Sequence, residues 1–177
     1  MNDESLVRTG RTWVFGDNIN TDLIMPNTAF SVPYAEHHRL VFSANRPGWG
    51  DEVQEGDIVV AGRNFGLGSG RPIGRLLGEN GVRGMLVETV NCVALRNCVN
   101  YGMPLLECAG VTTFFNEGDV AEVQYRKGII RNLTAGTELQ TKPLPELLAS
   151  IVVSGGVFPM LIREGLIEPQ PTIASAV

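Results

Sequence analysis

The segment GRNFGLGSGRPIGRLL, residues 62–77, places glycines on both sides of Ser69 and an arginine, Arg71, two residues further on. A serine between glycines lets the backbone approach a small ligand closely, and a guanidinium can hold a carboxylate through two parallel hydrogen bonds. These residue types favour a site for a small carboxylic acid. A purely structural interpretation is equally open: the glycines form a tight turn, Ser69 caps the following helix and Arg71 is solvated.

Two better-known glycine-rich motifs do not fit this segment. Gly66, Gly68 and Gly70 lack the G-x-G-x-x-G spacing of a dinucleotide site, and no G-K-[ST] sequence ends a phosphate-binding loop. The G-x-S-x-G pattern of hydrolases is also missing, and no histidine follows Ser69 to act as its base. A catalytic Ser69 would therefore need amide donors, a helix N-terminus or a guanidinium to lower its pKa.

The composition favours one soluble enzyme-sized domain. With 177 residues, 44% of them hydrophobic, we predict a single domain over residues 1–177, with a core at about 11–165 and a loose tail at 166–177. A formal charge of -5 argues against nucleic-acid partners. No apolar run reaches the ~18 residues of a membrane span and no secretory signal pattern opens the sequence, so a cytoplasmic protein without membrane association is expected.

The cysteines and histidines do not predict a metal site in this chain. Cys92, Cys98 and Cys108 are odd in number, which disfavours a disulfide framework, and their spacing matches no zinc or iron–sulfur pattern. His37 and His38 are the two histidines of the sequence. We therefore interpret the cysteines as small buried apolar residues.

The middle of the chain alternates predicted strands and helices. Short apolar runs bounded by turn residues predict strands, and apolar residues at helical spacing predict helices that begin near Pro72 or at Asn91. This alternation implies parallel pairing through right-handed crossovers. Residues 62–71, called the glycine loop from here on, lie between a predicted strand and a predicted helix. The predicted strands are Gly56–Gly62, Gly84–Val90 and Met103–Ala109, and the predicted helices are Pro72–Gly81 and Asn91–Gly102.

The flanking regions complete an α/β domain with a mixed sheet. A strand is predicted at Arg11–Phe15, followed by a turn-rich connection at Gly16–Pro26 and a partly helical excursion at residues 27–50. Polar and apolar residues alternate on both sides of Lys127 and Gly128, which predicts a β-hairpin with one solvent-exposed face. A further helix is predicted at Pro143–Val153, ended by two glycines.

Four ordered motifs give the sequence a family resemblance. GDNINTDLIMP, GRNFGLGSGR, VNCVALRNCVNYGMPLLE and VSGGVFPMLI, between about Trp13 and Leu161, resemble the small subunits of 3-isopropylmalate dehydratases, which are homologous to the swivelling domain of aconitase. The resemblance implies an α/β fold: a swivelling β/β/α three-layer domain with a mixed, partly parallel sheet. It also implies a partner, a large subunit whose iron–sulfur cluster acts as the Lewis acid, while this chain holds no cofactor.

The resemblance further implies roles for particular residues. Ser69 falls on the serine that removes a proton α to a carboxylate, Arg71 on the arginine that grips a substrate carboxylate, and Asp22 on an aspartate that orients the arginine or the serine environment. Thr21 and Asn64 lie beside these positions and could add hydrogen bonds, or could be a turn residue and a loop filler.

The sequence departs from the family pattern near the proposed base. Gly70 stands where the family has a second serine that contacts substrate, Pro72-Ile73-Gly74 stand in place of Glu-His-Ala, and Leu67 in place of a cysteine or glutamate. These changes keep the proposed base and carboxylate grip and remove polar neighbours. They make the glycine loop a place where a substrate difference can be encoded.

The loop NTAFSVPYAEHHRL after the aspartate motif is associated with substrate choice in this family. Phe30, Val32 and Tyr34 make it fairly apolar, which fits a substrate with an alkyl group. The segment His37–Arg39 could instead reach an anion, or could be a solvated helix face. The loop therefore favours an alkyl-malate.

The expected function is that of the small subunit of a heteromeric hydro-lyase. The leading substrate is 2-isopropylmalate, isomerised to 3-isopropylmalate by dehydration and rehydration in leucine biosynthesis, with activity only in the presence of the large subunit. Alternatives are the same chemistry on 2,3-dimethylmalate, citraconate or homoaconitate, or a binding or regulatory module that has lost catalysis. Homo-oligomerisation of the isolated chain is left open.

Overall fold

The computed structural model describes residues 6–169. Its strands are β1 (Val7–Val14), β2 (Ile58–Ala61), β3 (Gly84–Val87), β4 (Leu105–Glu107), β5 (Val120–Gln124), β6 (Ile129–Asn132) and β7 (Thr137–Gln140). Its α-helices are α1 (Thr21–Ile24), α2 (His37–Leu40), α3 (Trp49–Glu52), α4 (Ile73–Glu79), α5 (Cys92–Asn100), α6 (Val111–Phe114), α7 (Glu146–Val153) and α8 (Val157–Arg163), and 3₁₀ turns span Asn27–Ser31 and Tyr34–Glu36.

The seven strands form one mixed sheet in the order β4-β3-β2-β1-β5-β6-β7. Strands β1 to β4 pair in parallel, whereas β5 to β7 continue from β1 as an antiparallel meander. The central strand β1 serves both halves, because residues 7–11 pair with β5 and residues 12–14 pair with β2. The prediction of an α/β fold with a mixed, partly parallel sheet is confirmed.

Both faces of the parallel half are buried. Along β2, Val59 and Ala61 belong to one hydrophobic cluster, while Ile58 and Val60 belong to a second cluster on the opposite face. Successive side chains of a strand point to opposite faces, so a strand covered on both sides reads as an unbroken apolar run. The first cluster includes the buried sides of α4 and α5, and the second includes α7 and the antiparallel strands.

Several element boundaries differ from the predictions. Strand β1 begins at Val7 instead of Arg11, because its first part has a partner, β5, that lies more than a hundred residues away in the chain. Strand β3 ends at Val87 instead of Val90, leaving Val90 in an isolated bridge with Phe65. Helix α4 begins at Ile73, after Pro72.

The C-terminal third holds two further differences. The predicted two-stranded hairpin is a three-stranded meander, since a second turn after Asn132 brings β7 against β6. Helix α8 was not predicted. It contains Pro159, which is tolerated because the first-turn N–H groups of a helix have no intrahelical acceptor. Of the tail predicted at 166–177, residues 170–177 lie outside the described residues.

Across residues 6–169, no single helix combines the length and hydropathy needed to cross a membrane. Helices α7 and α8 meet those criteria only when counted together, and they are bent by 84° relative to each other.

Candidate active site

Two loops meet at the carboxyl ends of β1 and β2. The backbone N–H of Asn18 donates to Arg63 O (2.7 Å), that of Gly66 to Ile19 O (2.7 Å), and that of Thr21 to the carbonyl of Leu67 (2.8 Å). These bonds hold the loop after β1 against the glycine loop after β2. They bring Thr21 and its helix α1 next to Ser69, although the two residues are 48 positions apart.

Two glycines of the loop are required by its geometry. Gly66 and Gly68 have φ angles of 73° and 115°, in the region that favours glycine. A Cβ on Gly68 would also lie 2.6 Å from Thr21 Oγ1, and one on Gly66 would lie 2.2 Å from Ala94 Cβ. Gly70 differs, because a Cβ there would meet only Val93 Cγ1, at 3.9 Å. The backbone therefore explains Gly66 and Gly68 but leaves space beside Gly70.

The side chain of Ser69 faces the charged part of the site. Its hydroxyl oxygen lies 3.4 Å from Thr21 Oγ1 and accepts a hydrogen bond from Arg71 Nε at 3.2 Å. The Ser69 N–H donates to Thr21 Oγ1 at 3.1 Å. Ser69 does not cap α4, whose first residue is Ile73 and whose start has no side-chain cap. The structural interpretation of Ser69 as a helix cap is wrong.

Arg71 is enclosed by hydrogen-bond acceptors, and its side chain is only 10% exposed. Besides Ser69, its guanidinium contacts the carbonyl oxygens of Thr21 (3.5 Å) and Met25, the side-chain oxygen of Asn27 (2.7 Å) and the carboxylate of Asp22. The interpretation of Arg71 as a solvated residue is therefore wrong. The structure brings Ser69, Arg71, Thr21 and Asp22 together, as the sequence motifs predicted.

Sequence reasoning did not identify Asn27 or the carbonyl of Met25 as partners of Arg71. A carbonyl oxygen is carried by every residue, so no residue type marks it. Asn27 follows Pro26 and starts the 3₁₀ turn, a place where asparagine is common for local reasons. Only the meeting of the two loops shows that its side chain is aimed at a guanidinium.

The loop of residues 27–40, called the substrate loop from here on, contacts this cluster through Phe30. The guanidinium of Arg71 lies 5.5 Å from the centre of the Phe30 ring, whose residue is 69% exposed. Val32 is half-buried, and its N–H closes the 3₁₀ turn on Ala29 O at 3.5 Å. The loop thus supplies an exposed aromatic side chain beside the arginine.

A second contact fastens the substrate loop to α4. The hydroxyl of Tyr34 donates to Glu79, which also pairs with Arg75 at 2.8 Å, and the Arg75 guanidinium lies 4.7 Å from the Tyr34 ring centre. Burial, followed by the hydrogen bond to Glu79, raises the pKa of Tyr34 to about 12. The phenol is therefore a proton donor throughout the neutral range.

The other polar residues singled out in the sequence make local contacts. His38 Nδ1 is 2.8 Å from Ala35 O, and Arg39 pairs with Asp51 at 3.5 Å. These contacts agree with the exposed helix face and do not direct the side chains to an anion. Asn64 has a φ of 60° and its side-chain amide donates to Asn18 Oδ1 (2.9 Å), so it braces the two loops.

The cysteines are free thiols. Cys98 and Cys108 are buried as predicted, and burial raises the pKa of Cys98 to about 12. Cys92 is exposed at the start of α5, so the prediction of burial is wrong for this residue. In the part of the chain that the structure describes, no three His, Cys, Asp or Glu side chains converge to hold a metal ion.

Comparison with known proteins places these motifs in one family, although no family model matches the chain. The 3-isopropylmalate dehydratase small subunit 1 of Methanopyrus kandleri is 39% identical over 160 residues, covering 88% of this chain and 93% of that protein. The isopropylmalate/citramalate isomerase small subunit of Methanocaldococcus jannaschii is 39% identical over 161 residues, 88% and 94% of the two chains. The methanogen homoaconitase small subunit of Methanothermobacter thermautotrophicus is 39% identical over 160 residues, 87% and 89%.

A solved structure has the same fold. The crystal structure of a 3-isopropylmalate dehydratase from Methanocaldococcus jannaschii matches with a TM-score of 0.84 and 24% identity, over 92% of this chain and 98% of that chain. The swivelling-domain fold predicted from the motifs is confirmed. With the identities above extending over most of the sequence, the chain belongs to the family of 3-isopropylmalate dehydratase small subunits.

Proposed function

We propose that the chain is the small subunit of a hydro-lyase that isomerises a hydroxy-dicarboxylic acid by dehydration and rehydration. The observation that carries the proposal is the contact of Ser69 Oγ with Arg71 Nε at 3.2 Å in a chain of this family. The hydroxyl and the guanidinium are neighbours, so one carboxylic acid can meet both. The leading substrate is 2-isopropylmalate, converted to 3-isopropylmalate.

In this proposal Ser69 is the base. A serine hydroxyl removes a carbon-bound proton only if its anionic form is stabilised, and a donor to that form favours it. Arg71 is permanently charged and its Nε–H already points at Ser69 Oγ, with the Thr21 hydroxyl 3.4 Å away. During dehydration the ionised oxygen of Ser69 takes the proton α to a carboxylate, the C–H electron pair forms the double bond, and the hydroxyl on the adjacent carbon leaves as hydroxide. In rehydration hydroxide adds to one carbon of the double bond and the Ser69 hydroxyl returns the proton to the other.

Arg71 is proposed as the carboxylate clamp. Its planar guanidinium can present two parallel N–H donors to a carboxylate, and its near-complete burial strengthens such a contact relative to one in water. Thr21, whose hydroxyl accepts from the Ser69 N–H, positions the serine, and Asp22 is the ionic partner of the arginine. Gly70, between Ser69 and Arg71, has no side chain and leaves the space beside these two residues open.

Between residues 6 and 169, the side chains do not form a set that fits an iron–sulfur cluster. Cys98 and Cys108 are buried, and no metal-holding set of side chains occurs within residues 6–169. The proposal therefore assigns the cluster to a partner large subunit. The relatives named above are small subunits, which supports a heteromeric enzyme in which this chain supplies the base and the clamp.

The substrate loop supports an alkyl-substituted acid. Phe30 places an apolar, exposed ring beside the guanidinium, where a substituent next to the bound carboxylate would lie. Homoaconitate is a second candidate, because a methanogen homoaconitase small subunit matches at the same identity as the isopropylmalate relatives. Citraconate and 2,3-dimethylmalate remain further members of the panel to be tested.

The test is turnover by the chain assembled with its large subunit. We expect the highest kcat/KM on 2-isopropylmalate among the four acids. Ser69→Ala should lower kcat by at least about 100-fold with little change in KM, as expected when a general base is removed. Ser150→Ala, on α7, is the matched control and should retain full activity.

The outcomes separate the alternatives. Normal turnover by assembled Ser69→Ala would contradict the role of Ser69 as the base. A wild-type complex that binds diacids but turns over none of them would instead support a binding or regulatory module, the alternative suggested by Gly70.

A further inference from the structure

Each nitrogen of the Arg71 guanidinium already contacts a protein oxygen. The guanidinium carries five N–H donors, and five protein oxygens surround it: those of Ser69, Asn27, Asp22 and the carbonyls of Thr21 and Met25. A carboxylate that is held through two N–H groups must take the place of some of these acceptors. The identity of the displaced group decides how the site recognises its ligand.

Most of the acceptors are fixed in place. Thr21 and Met25 are buried, and their backbones are joined because the Met25 N–H donates to Thr21 O at 2.9 Å across α1. Ser69 is held through its own N–H by the Thr21 hydroxyl. Moving the Thr21 carbonyl would break this hydrogen bond at the end of α1. These neutral oxygens are therefore sufficient to set the plane of the guanidinium.

Asp22 differs from the other acceptors in charge and in exposure. Its side chain is 61% exposed, whereas that of Arg71 is 10% exposed. It supplies the one carboxylate among the five contacts. An exposed carboxylate can rotate into water, where it is well solvated, at small cost. The group that chemically resembles the substrate is thus also the group that can leave most easily.

We propose that Asp22 occupies the position on Arg71 that the substrate carboxylate takes, and that substrate binding displaces it. This inference rests on the function proposed above and adds to it. Asp22 then keeps the buried guanidinium paired while the site is empty, and it competes with the substrate. The exchange replaces one carboxylate by another, so a neutral ester or amide of the same acid is rejected, because it would leave Arg71 without a counter-charge.

A competing Asp22 and an orienting Asp22 predict opposite changes in KM when the residue is removed. If Asp22 oriented Arg71 for the substrate, its removal would raise KM. If it competes with the substrate, its removal lowers KM, because Ser69 and the neutral acceptors still hold the guanidinium. Two variants are needed: Asp22→Asn keeps the shape and an acceptor oxygen, and Asp22→Ala removes the acceptor altogether.

The experiment measures each variant in two ways. The full chain assembled with its large subunit is assayed on the best diacid, and the full ¹⁵N-labelled chain is titrated with malate while the Nε–H resonance of Arg71 is followed. We expect KM and the malate Kd to fall by roughly two- to fivefold in both variants, the range for loss of a competing, largely exposed ion pair. Asp51→Asn, which removes the exposed partner of Arg39 on α3, is the matched control and should change neither value.

The inference is overturned if KM and the malate Kd rise or stay constant in both variants. The proposed function still stands in that case, provided that the wild-type complex turns over a diacid. If the wild-type complex turns over no diacid and the chain does not bind malate, the proposed function itself fails, and the displacement role fails with it. Melting temperatures of the variants within a few degrees of wild type exclude unfolding as the cause.

Discussion

Arg71 is the residue on which the candidate site depends. Its Nε–H donates to Ser69, and its two terminal nitrogens reach both the end of α1 and the start of the substrate loop. This one side chain, the proposed clamp, therefore contacts both the proposed base and the substrate loop. An ammonium group has the same charge but lacks the planar set of donors, so charge alone cannot replace this arginine.

Arg71→Lys should raise KM by about tenfold or more and also lower kcat, because both the paired donors to a carboxylate and the donor to Ser69 are lost. Steady-state kinetics of the assembled enzyme measure both constants. Arg63→Lys is the control, since Arg63 is largely exposed and pairs with Glu88 at 3.4 Å. Equal KM values for Arg71→Lys and wild type would contradict the clamp.

Among the elements, helix α4 connects the glycine loop to its surroundings. The close approach of α4 to α5 explains one departure from the family pattern, Gly74. A Cβ at this position would lie 2.7 Å from Cys98 Cα on α5, and the Gly74 N–H donates to Asn97 Oδ1 at 3.0 Å. The same helix presents Glu79 to Tyr34 of the substrate loop. Thus α4 fixes both the loop that carries Ser69 and the loop that carries Phe30.

Tyr34→Phe should raise KM for an alkyl-substituted diacid by roughly two- to fivefold, because the loop loses a charge-assisted hydrogen bond that keeps Phe30 over Arg71. The raised pKa of Tyr34, about 12 against an ordinary 10.0, means that the bond is fully present below pH 10 and is lost as the pH rises towards 12. The wild-type KM should therefore show no change from this group between pH 6 and 9. Glu79→Gln combined with Tyr34→Phe should add little to the single change, and full additivity would contradict the contact.

Over the whole molecule, the long strand β1 links the parallel and antiparallel halves of the sheet. A buried carboxylate, that of Asp57, connects β1 to the neighbouring strand β2 through hydrogen bonds. Asp57, at the start of β2, accepts from Arg11 (2.7 Å), from Trp13 Nε1 (2.7 Å) and from the Gln54 N–H (2.9 Å). Burial acts to raise the pKa of Asp57, but these hydrogen bonds outweigh it and the net pKa lies below its usual value. The pairing of β1 with β2 is thus tied to the ionised state of this side chain.

Asp57→Asn should lower the free energy of unfolding at pH 7 by about 2 kcal/mol, since charge-assisted hydrogen bonds become neutral ones. A lowered pKa stabilises the fold above the unfolded value of 3.8, and that contribution is lost as the pH falls through the lower folded pKa. The difference between wild type and variant should therefore shrink below pH 3.8. Urea unfolding at several pH values measures it, and a difference independent of pH would contradict the assignment to Asp57.

The sequence alone determined the elements with strong local patterns, and its motifs named the residues that are proposed to carry chemistry. The unbroken apolar runs of β2 and β3, and the capping asparagine of α5, are local signals, so those elements were predicted with errors only at their ends. The order of the four motifs was enough to identify the family, and Ser69, Arg71, Thr21 and Asp22 were named from it. The start of β1 and helix α8 were missed because they depend on a distant partner or carry a proline.

Only the tertiary structure decided how the motif residues meet. Thr21 and Ser69 become neighbours because backbone bonds join loops that are far apart in sequence, and such contacts are not encoded in any local pattern. The same meeting of loops encloses Arg71 and brings the side chains of Asn27 and Asp22 into contact with its guanidinium. Residue types determine which chemistry is available, and long-range packing decides which protein oxygens surround Arg71.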